Sequence, residues 1–267
     1  MTQTPTYEIY AIKYGSHVRK MADNFIGGDP HDGPGPIDYF VWAIKGDGRA
    51  WVVDTGFDAV EGKKRGRVVD RDCGDALKLI GIDHTQVKDV IITHLHYDHC
   101  GSHHLFPKAR FHVQEKEMQY ATGPCMCMPA LRGPFTAKDI TTMVERVFED
   151  RIVFHNGDDE IAPGITVHHV GGHTMGLQIV RVWTQVGWVV LAADAAHMYA
   201  NMEQGRPFPI VYNVFDMLKG HQRAYALASA PKFVIPGHDP LVLERFPAPK
   251  PELKGIVVRL DMGPSHW

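Results

Sequence analysis

The stretch Val90-Ile91-Ile92-Thr93-His94-Leu95-His96-Tyr97-Asp98-His99 runs from an apolar, β-branched segment directly into four potential metal ligands. The apolar part predicts a buried strand. Side chains two positions apart in an extended segment point the same way, so His94 and His96 can converge on one ion. After the following turn, the adjacent Asp98 and His99 can face a second ion. A surface histidine cluster in which Asp98 caps a helix is the alternative interpretation.

Three further candidate ligands each follow an apolar segment and enter a turn rich in glycine or alanine. They are His173 in Gly171-Gly172-His173-Thr174-Met175-Gly176, Asp194 in Leu191-Ala192-Ala193-Asp194, and His238 in Ile235-Pro236-Gly237-His238-Asp239. Functional residues are commonly carried on the loops that follow strands. The repetition of this arrangement favours a metal centre over a surface histidine cluster.

Strand-like segments outnumber helical ones along the chain. Strands are predicted over 7–13, 38–44, 50–53, 90–93, 111–114, 152–155, 166–170, 178–183, 188–192 and 232–235, and helices over 72–81, 115–121, 137–148 and 216–229. Several strands are continuous β-branched runs, which are typical of strands covered on both faces. This pattern predicts stacked sheets with outer helices.

The length of 267 residues suits one large domain or two small ones, and we predict a single domain over 1–267. Two segments, at about 15–37 and 118–143, are predicted to be lid-like. The first is rich in glycine and proline, and the second contains the irregular stretch 122–136. Irregular segments of this length are usually functional, although plain surface loops are the alternative.

The charge balance and the termini bear on partners and location. The chain has 28 basic and 31 acidic residues, a net charge of -3, which argues against a nucleic-acid partner. The basic run Lys63-Lys64-Arg65-Gly66-Arg67 is interpreted as a solvated loop. No basic segment followed by an apolar one opens the chain, and the longest apolar stretch, 186–193, is too short to span a bilayer. We therefore expect no membrane partner and a cytoplasmic location.

The order of the motifs resembles the dinuclear metallo-β-lactamase superfamily. The resemblance is carried by His94-x-His96-x-Asp98-His99, then His173, Asp194 and His238, and it extends to Val53-Asp54-Thr55-Gly56, which is similar to the first motif of that superfamily. It implies an α+β fold, an αββα sandwich of two mainly mixed β-sheets with outer helices and with the metals at one edge.

The resemblance also implies the metal ligands. It divides the seven candidates between two ions, with His94, His96 and His173 at one, Asp98, His99 and His238 at the other, and Asp194 bridging them. Two Zn²⁺ per chain are expected, and other divalent metals are an alternative. Asp54 would orient the ligand loop from behind. A simple turn residue is the other interpretation of Asp54.

Particular residues favour one branch of the superfamily. Antibiotic-hydrolysing members generally lack the bridging aspartate, so Asp194 counts against β-lactam cleavage. His96 stands where the diiron oxidoreductases carry a glutamate. Chain length and segment order are most similar to the N-acyl-homoserine lactonase group, which implies quorum quenching. That group usually has a tyrosine three residues after the bridging aspartate, whereas this chain has His197 there and Tyr199 two positions later.

These features predict a hydrolase that opens a lactone, either an N-acyl-homoserine lactone or a related ester ring. Two ions can share a water and lower its pKa, which yields a hydroxide that attacks a polarised carbonyl. Asp98 would pass the proton to the leaving group, and His197 or Tyr199 would stabilise the oxyanion.

The second lid-like segment suggests what the substrate looks like. An apolar, pliable wall is predicted from Met118, Tyr120, Met126, Met128, Leu131 and Phe135. Such a wall suits a small-molecule substrate with an apolar part. The alternative is that these side chains form the contact of a homodimer.

Three rival functions share the predicted metal centre. A thioester hydrolase of the hydroxyacylglutathione hydrolase type would use every ligand. A phosphodiesterase would use the same metals, but no basic cluster that could grip a phosphate is visible near the motifs. A metal-dependent binding module or sensor is the non-enzymatic alternative, and the complete set of seven ligands counts against it.

Overall fold

The computed structural model describes residues 4–265 of the chain, and within them lie thirteen strands and nine α-helices. The strands are β1 (Glu8–His17), β2 (Ile37–Gly46), β3 (Arg49–Val53), β4 (Val68–Val69), β5 (Asp89–Ile91), β6 (Arg110–Gln114), β7 (Ile152–His155), β8 (Asp159–Ala162), β9 (Ile165–His169), β10 (Gln178–Thr184), β11 (Gly187–Ala193), β12 (Val234–Pro236) and β13 (Val257–Arg259). The helices are α1 (Ala59–Arg65), α2 (Cys73–Lys78), α3 (Tyr97–Cys100), α4 (Glu115–Thr122), α5 (Pro129–Arg132), α6 (Ala137–Phe148), α7 (Tyr199–Glu203), α8 (Val214–Leu227) and α9 (Leu241–Arg245).

The strands form two sheets. The larger has the order β13-β1-β2-β3-β5-β6-β7, with β4 paired to β1, and the smaller has the order β12-β11-β10-β9-β8. The larger sheet is antiparallel from β13 to β3 and parallel from β3 to β7. In the smaller sheet only β11 and β12 are parallel. Both sheets are therefore mixed, as predicted.

Two apolar cores explain why the sequences of the strands are continuous apolar runs. Alternate residues of β1, such as Ile9 and Ala11, pack in a core shared with the smaller sheet. The residues between them, such as Tyr10 and Ile12, pack in a second core with residues of α2 and α6. Because both faces of the larger sheet are buried, neither face needs polar residues. This arrangement confirms the predicted αββα sandwich.

The strand directions bring the motifs together. The parallel neighbours β3 and β5 end just before Asp54 and His94, and the parallel neighbours β11 and β12 end just before Asp194 and His238. Parallel neighbours end at the same edge of their sheet. The four motifs therefore meet at one edge of the sandwich.

The two segments predicted to be lid-like contain more regular structure than expected. β1 continues to His17, and the rest of 15–37 includes a 3₁₀ turn, Met21–Asn24, and an isolated bridge between Lys20 and Pro34. Most of 118–143 is helical, in the end of α4, in α5 and in the start of α6. The single domain and the movement of these segments stay predictions.

The basic run at 63–67 is not the solvated loop that we predicted. Asp58 accepts a hydrogen bond from the backbone N–H of Glu61 and caps α1, which ends at Gly66 with a left-handed φ of 68°. Lys63 and Lys64 are exposed on this helix, whereas Arg65 is half-buried.

No helix within residues 4–265 is long and apolar enough to cross a membrane.

Candidate metal centre

The structure brings all seven predicted ligands into one cluster. In the first trio, Nε2 of His173 lies 3.1 Å from Nε2 of His94 and 2.9 Å from Nδ1 of His96. In the second, Oδ2 of Asp98 lies 3.9 Å from Nε2 of both His99 and His238. Within each trio the three atoms lie within 4.8 Å of one another, which is close enough to hold an ion.

Asp194 lies between the two trios. Its Oδ1 is 3.0 Å from Nε2 of His238, and its Oδ2 is 3.3 Å from Nε2 of His173. Although burial alone would raise the pKa of this carboxyl, the imidazoles of His238, His99 and His197 hold it well below its usual range. Asp194 thus carries a negative charge between the two trios, within reach of both.

The donor set fits divalent zinc-type ions. Among the described residues, Nε2 of His99 and Oδ1 of Asp194 are buried without a hydrogen-bond partner, which a protein rarely tolerates unless another ligand satisfies them. Burial and the neighbouring imidazoles lower the pKa of His94 and His96 well below the usual range, so their ring nitrogens carry free lone pairs. Neutral imidazole and carboxylate are the ligands that zinc prefers beside thiolate.

Short elements place the ligands of the central motif. His94 follows β5, and the four-residue helix α3 turns Asp98 and His99 towards the cluster. The N-cap position of α3 is His96, and Asp98 lies inside the helix. The interpretation of Asp98 as a helix cap is therefore wrong.

Asp54 lies behind the ligand loop. Its Oδ2 is 2.7 Å from Nδ1 of His99 and accepts a hydrogen bond from the Thr93 hydroxyl, and its Oδ1 accepts one from the Thr93 N–H. Asp54 has a left-handed φ of 62°, and Ala193, just before Asp194, has a φ of 43°. Such backbone strain clusters at functional sites, where the surrounding structure compensates for it.

Backbone carbonyls fix two more imidazoles. Nδ1 of His173 lies 2.6 Å from the carbonyl oxygen of Ile210, and Nδ1 of His238 lies 2.9 Å from that of Asp38. An Nδ1 that donates to a carbonyl leaves the Nε2 lone pair for a metal. Gly237 is needed beside them, because a Cβ there would come within 2.5 Å of Oδ1 of Asp194.

The two candidates for holding a substrate carbonyl lie in different surroundings. His197 lines the cavity at the cluster, and its ring stacks on Phe208 with 3.4 Å between centroids. Its Nε2 is 2.9 Å from Oδ2 of Asp194. Tyr199 belongs to the core between the sheets, where its ring lies under the guanidinium of Arg245. The structure thus brings His197 to the cluster and Tyr199 to the core.

A cavity of about 220 Å³ opens onto the cluster. Besides the ligands Asp98 and His238, its wall includes apolar residues such as Ile37, Pro134 and Ile210, and it also includes three arginines, Arg19, Arg65 and Arg67. The argument against a phosphodiesterase, that no basic cluster which could grip a phosphate is visible near the motifs, therefore does not hold. Sequence reasoning missed this basic cluster because Arg65 and Arg67 are distant from the ligand motifs in the sequence, and only the fold brings them to the site.

The apolar wall predicted from the second lid-like segment contributes to the surroundings of the cluster only in part. Phe135 packs edge-on against His96, with 4.6 Å between ring centroids, and Tyr120 packs on Phe135. Met128 is 57% exposed on the surface. Of this segment, Gly133 and Pro134 line the cavity.

Glu117 on α4 is a buried residue that sequence reasoning missed. Its Oε1 accepts a hydrogen bond from the N–H of Leu95, and its Oε2 accepts from the Thr174 hydroxyl and the Gly176 N–H, at 2.7–3.0 Å. A Cβ on Gly176 would come within 2.0 Å of the Glu117 nitrogen, so the loop and helix are in close contact. Burial raises the pKa of Glu117 to about 7, against the effect of these hydrogen bonds. Glu117 joins the loop of His94 and His96 to the loop of His173.

We expect Glu117→Gln to weaken metal binding by roughly 10- to 100-fold, the usual cost of losing a residue that orients ligands. The amide cannot accept every hydrogen bond that the carboxylate accepts, so the two loops lose their common anchor. Metal titration by calorimetry would measure the change. The matched control is Glu115→Gln, which alters an exposed residue of the same helix. Equal metal affinity in Glu117→Gln and the wild type would contradict this role.

Comparison with known proteins agrees with this geometry. A family model described as the metallo-beta-lactamase superfamily matches residues 34–238. The chain is 28% identical over 182 residues to N-acyl homoserine lactonase AttM of Rhizobium johnstonii, covering 66% of this chain and 67% of the relative. It is 29% identical over 178 residues to N-acyl homoserine lactonase AttM of Agrobacterium fabrum, covering 65% and 66%. The matches thus span about two thirds of these relatives.

Solved structures share the fold. A quorum-quenching N-acyl homoserine lactone lactonase superposes with a TM-score of 0.72 at 21% identity, covering 90% of this chain and 94% of that one. AidC, a dizinc quorum-quenching lactonase in complex with a product, superposes with a TM-score of 0.69 at 14% identity, covering 90% of each chain. At these identities the likeness shows the fold.

Proposed function

This chain belongs to the metallo-beta-lactamase superfamily, and on that premise we propose that it is a dinuclear metal-dependent hydrolase that opens a lactone ring. The observation that carries the proposal is the position of Asp194 between two trios of ligands. The relatives named N-acyl homoserine lactonase support an ester ring, with acyl-homoserine lactones as the first candidates. Hydrolysis of such lactones would make quorum quenching its role.

Two Zn²⁺ are the proposed metals. One would be held by His94, His96 and His173, the other by Asp98, His99 and His238, and both by Asp194. Two such cations, when bound, polarise an ester carbonyl and lower the pKa of a water towards neutrality.

The residues of the chain have separate tasks in this proposal. The side chain of Asp98 is 12% exposed and lines the cavity, so its carboxylate can take up a proton and return it to the leaving alkoxide. His197 lines the same cavity and is the proposed residue at the carbonyl oxygen, since Tyr199 lies in the core. Asp54 holds the ring of His99 in place.

The cavity wall supports a small substrate with an apolar part. Ile37, Pro134 and Ile210 offer apolar surface beside the ligands, and 220 Å³ leaves room for a ring with short substituents. In the alternative interpretation of the second lid-like segment, the exposed surface around Met128 forms the contact of a homodimer. We also propose a cytoplasmic location, which suits the four free cysteines.

A turnover screen of the metal-loaded protein tests the proposal. It would include acyl-homoserine lactones of several chain lengths, an aromatic lactone, a thioester, a phosphodiester and a β-lactam. We expect hydrolysis of lactones to a hydroxy acid, with acid release and no redox change. Turnover of only the thioester or the phosphodiester would replace the lactonase assignment. A protein that binds two ions but turns over none of the substrates would favour a sensor or binding module.

A further inference from the structure

Three arginines contribute to the wall of the cavity at the metal ligands. Arg19 follows β1, and Arg65 and Arg67 flank the end of α1. All three are half-buried. Guanidinium groups keep their positive charge at every relevant pH, so the charge on this wall depends only on which carboxylates lie beside it.

Arg65 is neutralised within the protein. Its Nε lies 2.5 Å from Oε1 of Glu61, one turn earlier on α1. Its two terminal nitrogens donate to the carbonyl oxygens of Gly133 and Phe135, at 3.0 and 3.3 Å. Arg65 therefore holds the cavity wall in place, and its ion pair with Glu61 makes it a weak partner for an anionic ligand.

Within residues 4–265, Arg67 forms hydrogen bonds only with uncharged acceptors. Its Nη1 donates to the carbonyl oxygen of Arg65 at 2.8 Å and lies 3.0 Å from Nε2 of His17, and its Nε lies 3.4 Å from the Tyr97 hydroxyl. The Tyr97 hydroxyl is a phenol, which is uncharged near neutral pH because its ordinary pKa is about 10. Burial and the guanidiniums of Arg67 and Arg19 lower the pKa of His17 to about 4, so the His17 ring is neutral as well.

Among the described residues Arg19 forms no ion pair either; burial lowers its pKa, although the charge of the nearby Asp23 carboxylate has a smaller, opposite effect. Its guanidinium donates to the backbone carbonyl oxygen of Asp23. The carboxylate of Asp23 instead accepts a hydrogen bond from the N–H of Lys20 at 3.1 Å. Throughout the described part of the chain, neither Arg19 nor Arg67 forms an ion pair with a carboxylate.

The carboxylates that line the cavity are those of Asp98 and Asp194. Both belong to the proposed ligand set, so two divalent ions would take up their negative charge. The loaded cavity then keeps two half-buried guanidiniums that form no ion pair with a carboxylate of residues 4–265. Such groups are stabilised by a carboxylate, which a guanidinium can bind through two parallel hydrogen bonds.

We propose that the substrate carries a carboxylate apart from the bond that is cleaved, and that Arg67, assisted by Arg19, binds it. The inference rests on the proposed function, because it places this carboxylate on a lactone, and it puts lactone acids ahead of acyl-homoserine lactones, which carry no carboxylate, as the first candidates. The size of the cavity favours a compact lactone acid over one with a long chain.

A matched pair of lactones tests the inference: 5-oxotetrahydrofuran-2-carboxylate and the corresponding carboxamide. The wild type should prefer the carboxylate in kcat/KM by roughly 10- to 100-fold, the range expected for a hydrogen bond to a charged group. Arg67→Gln should bring the ratio near one, and Arg19→Gln should lower it by a smaller factor. Arg132→Gln, which removes an equal charge from an exposed position on α5, should keep the wild-type ratio.

Two results would overturn the inference. One is equal kcat/KM for the two lactones in the wild type, and the other is an unchanged ratio in both Arg67→Gln and Arg19→Gln. Thermal unfolding of each variant shows whether it is folded, and Arg67→Lys, which keeps the charge, should retain part of the preference.

Failure of the proposed function gives a different result. If neither lactone is hydrolysed, calorimetric binding of the carboxylate to the metal-loaded protein still tests the arginines. Binding that weakens at least about 10-fold in Arg67→Gln supports the inference without lactonase activity. Equal binding by the wild type and the variant contradicts it.

Discussion

Asp194→Asn is expected to remove at least one of the two ions and to lower turnover by more than about 100-fold, the upper end of the cost of losing a residue that only orients ligands. The substitution keeps the shape of the side chain but removes its charge, and it turns one oxygen into an N–H₂ donor. The oxygens of Asp194 lie 3.0 Å from Nε2 of His238 and 3.3 Å from Nε2 of His173. An amide therefore directs its donor at one trio and loses its attraction for the ion there.

The expected loss of an ion is measured by metal analysis of the protein after saturation and dialysis. We expect two ions per chain in the wild type and one or none in Asp194→Asn. The matched control is Asp75→Asn, the same substitution at an exposed position of α2, where both ions and full turnover should remain. Retention of both ions and full turnover in Asp194→Asn would show that this residue does not bridge the trios. One ion or none in the saturated wild type would contradict the dinuclear assignment itself.

The clustering of the candidate metal ligands could be predicted from the sequence because their positions follow from strand ends. His94, Asp194 and His238 each come within three residues of the end of a buried strand, and the apolar runs show where those strands lie. α6 spans the predicted 137–148, directly after the irregular stretch 122–136, and its apolar residues recur at helical spacing. Local patterns of this kind hold the information without any long-range contact.

The residues that sequence reasoning missed act through long-range contacts. Glu117 joins the N–H of Leu95, 22 positions earlier, to the hydroxyl of Thr174, 57 positions later. The Nη1 of Arg67 lies beside His17, 50 positions away. Nothing near either residue in the sequence signals these partners, because a polar residue on a short helix or turn is usually solvated.

Closeness to Asp194 in sequence is also a poor guide to which of the two candidate residues lines the cavity. Tyr199 is five positions from Asp194 and was a candidate on that ground. It is the first residue of α7, which directs the ring into the core below Arg245, while the N–H of Tyr199 donates to Oδ2 of Asp239. His197 precedes the helix and lies at the cavity. Only Met198, the N-cap of α7, separates the two residues, and the sequence does not specify the direction in which that helix begins.

The ring nitrogen that carries the proton decides what His197 can do at the site. Burial lowers its pKa to about 3, so the ring is neutral and only one of its nitrogens is a donor. With the proton on Nε2, which is 2.9 Å from Oδ2 of Asp194, His197 positions the carboxylate of Asp194. With the proton on Nδ1, which has no hydrogen-bond partner among the described residues, His197 can donate to a carbonyl oxygen. The two roles therefore exclude each other in one tautomer.

We expect His197→Ala to lower turnover by roughly 10²- to 10³-fold while both ions stay bound, the usual cost of losing one donor to an oxyanion. Tyr199→Phe is the control, since it removes a hydroxyl at a buried position of the core and should leave turnover close to that of the wild type. Steady-state kinetics and metal analysis of both variants give the comparison. Loss of turnover in Tyr199→Phe alone would move the role of carbonyl donor to Tyr199.

The metal content of His197→Ala decides between the remaining roles. Nε2 of His197 lies close enough to His173 and Asp194 for the three to hold an ion together. Loss of an ion together with turnover would show that the ring acts through the metals, as a ligand or by positioning Asp194. His197→Gln then separates these two, because its amide can still donate to Asp194 but replaces the imidazole. An ion retained in His197→Gln and lost in His197→Ala would identify the hydrogen bond to Asp194 as the function of the ring.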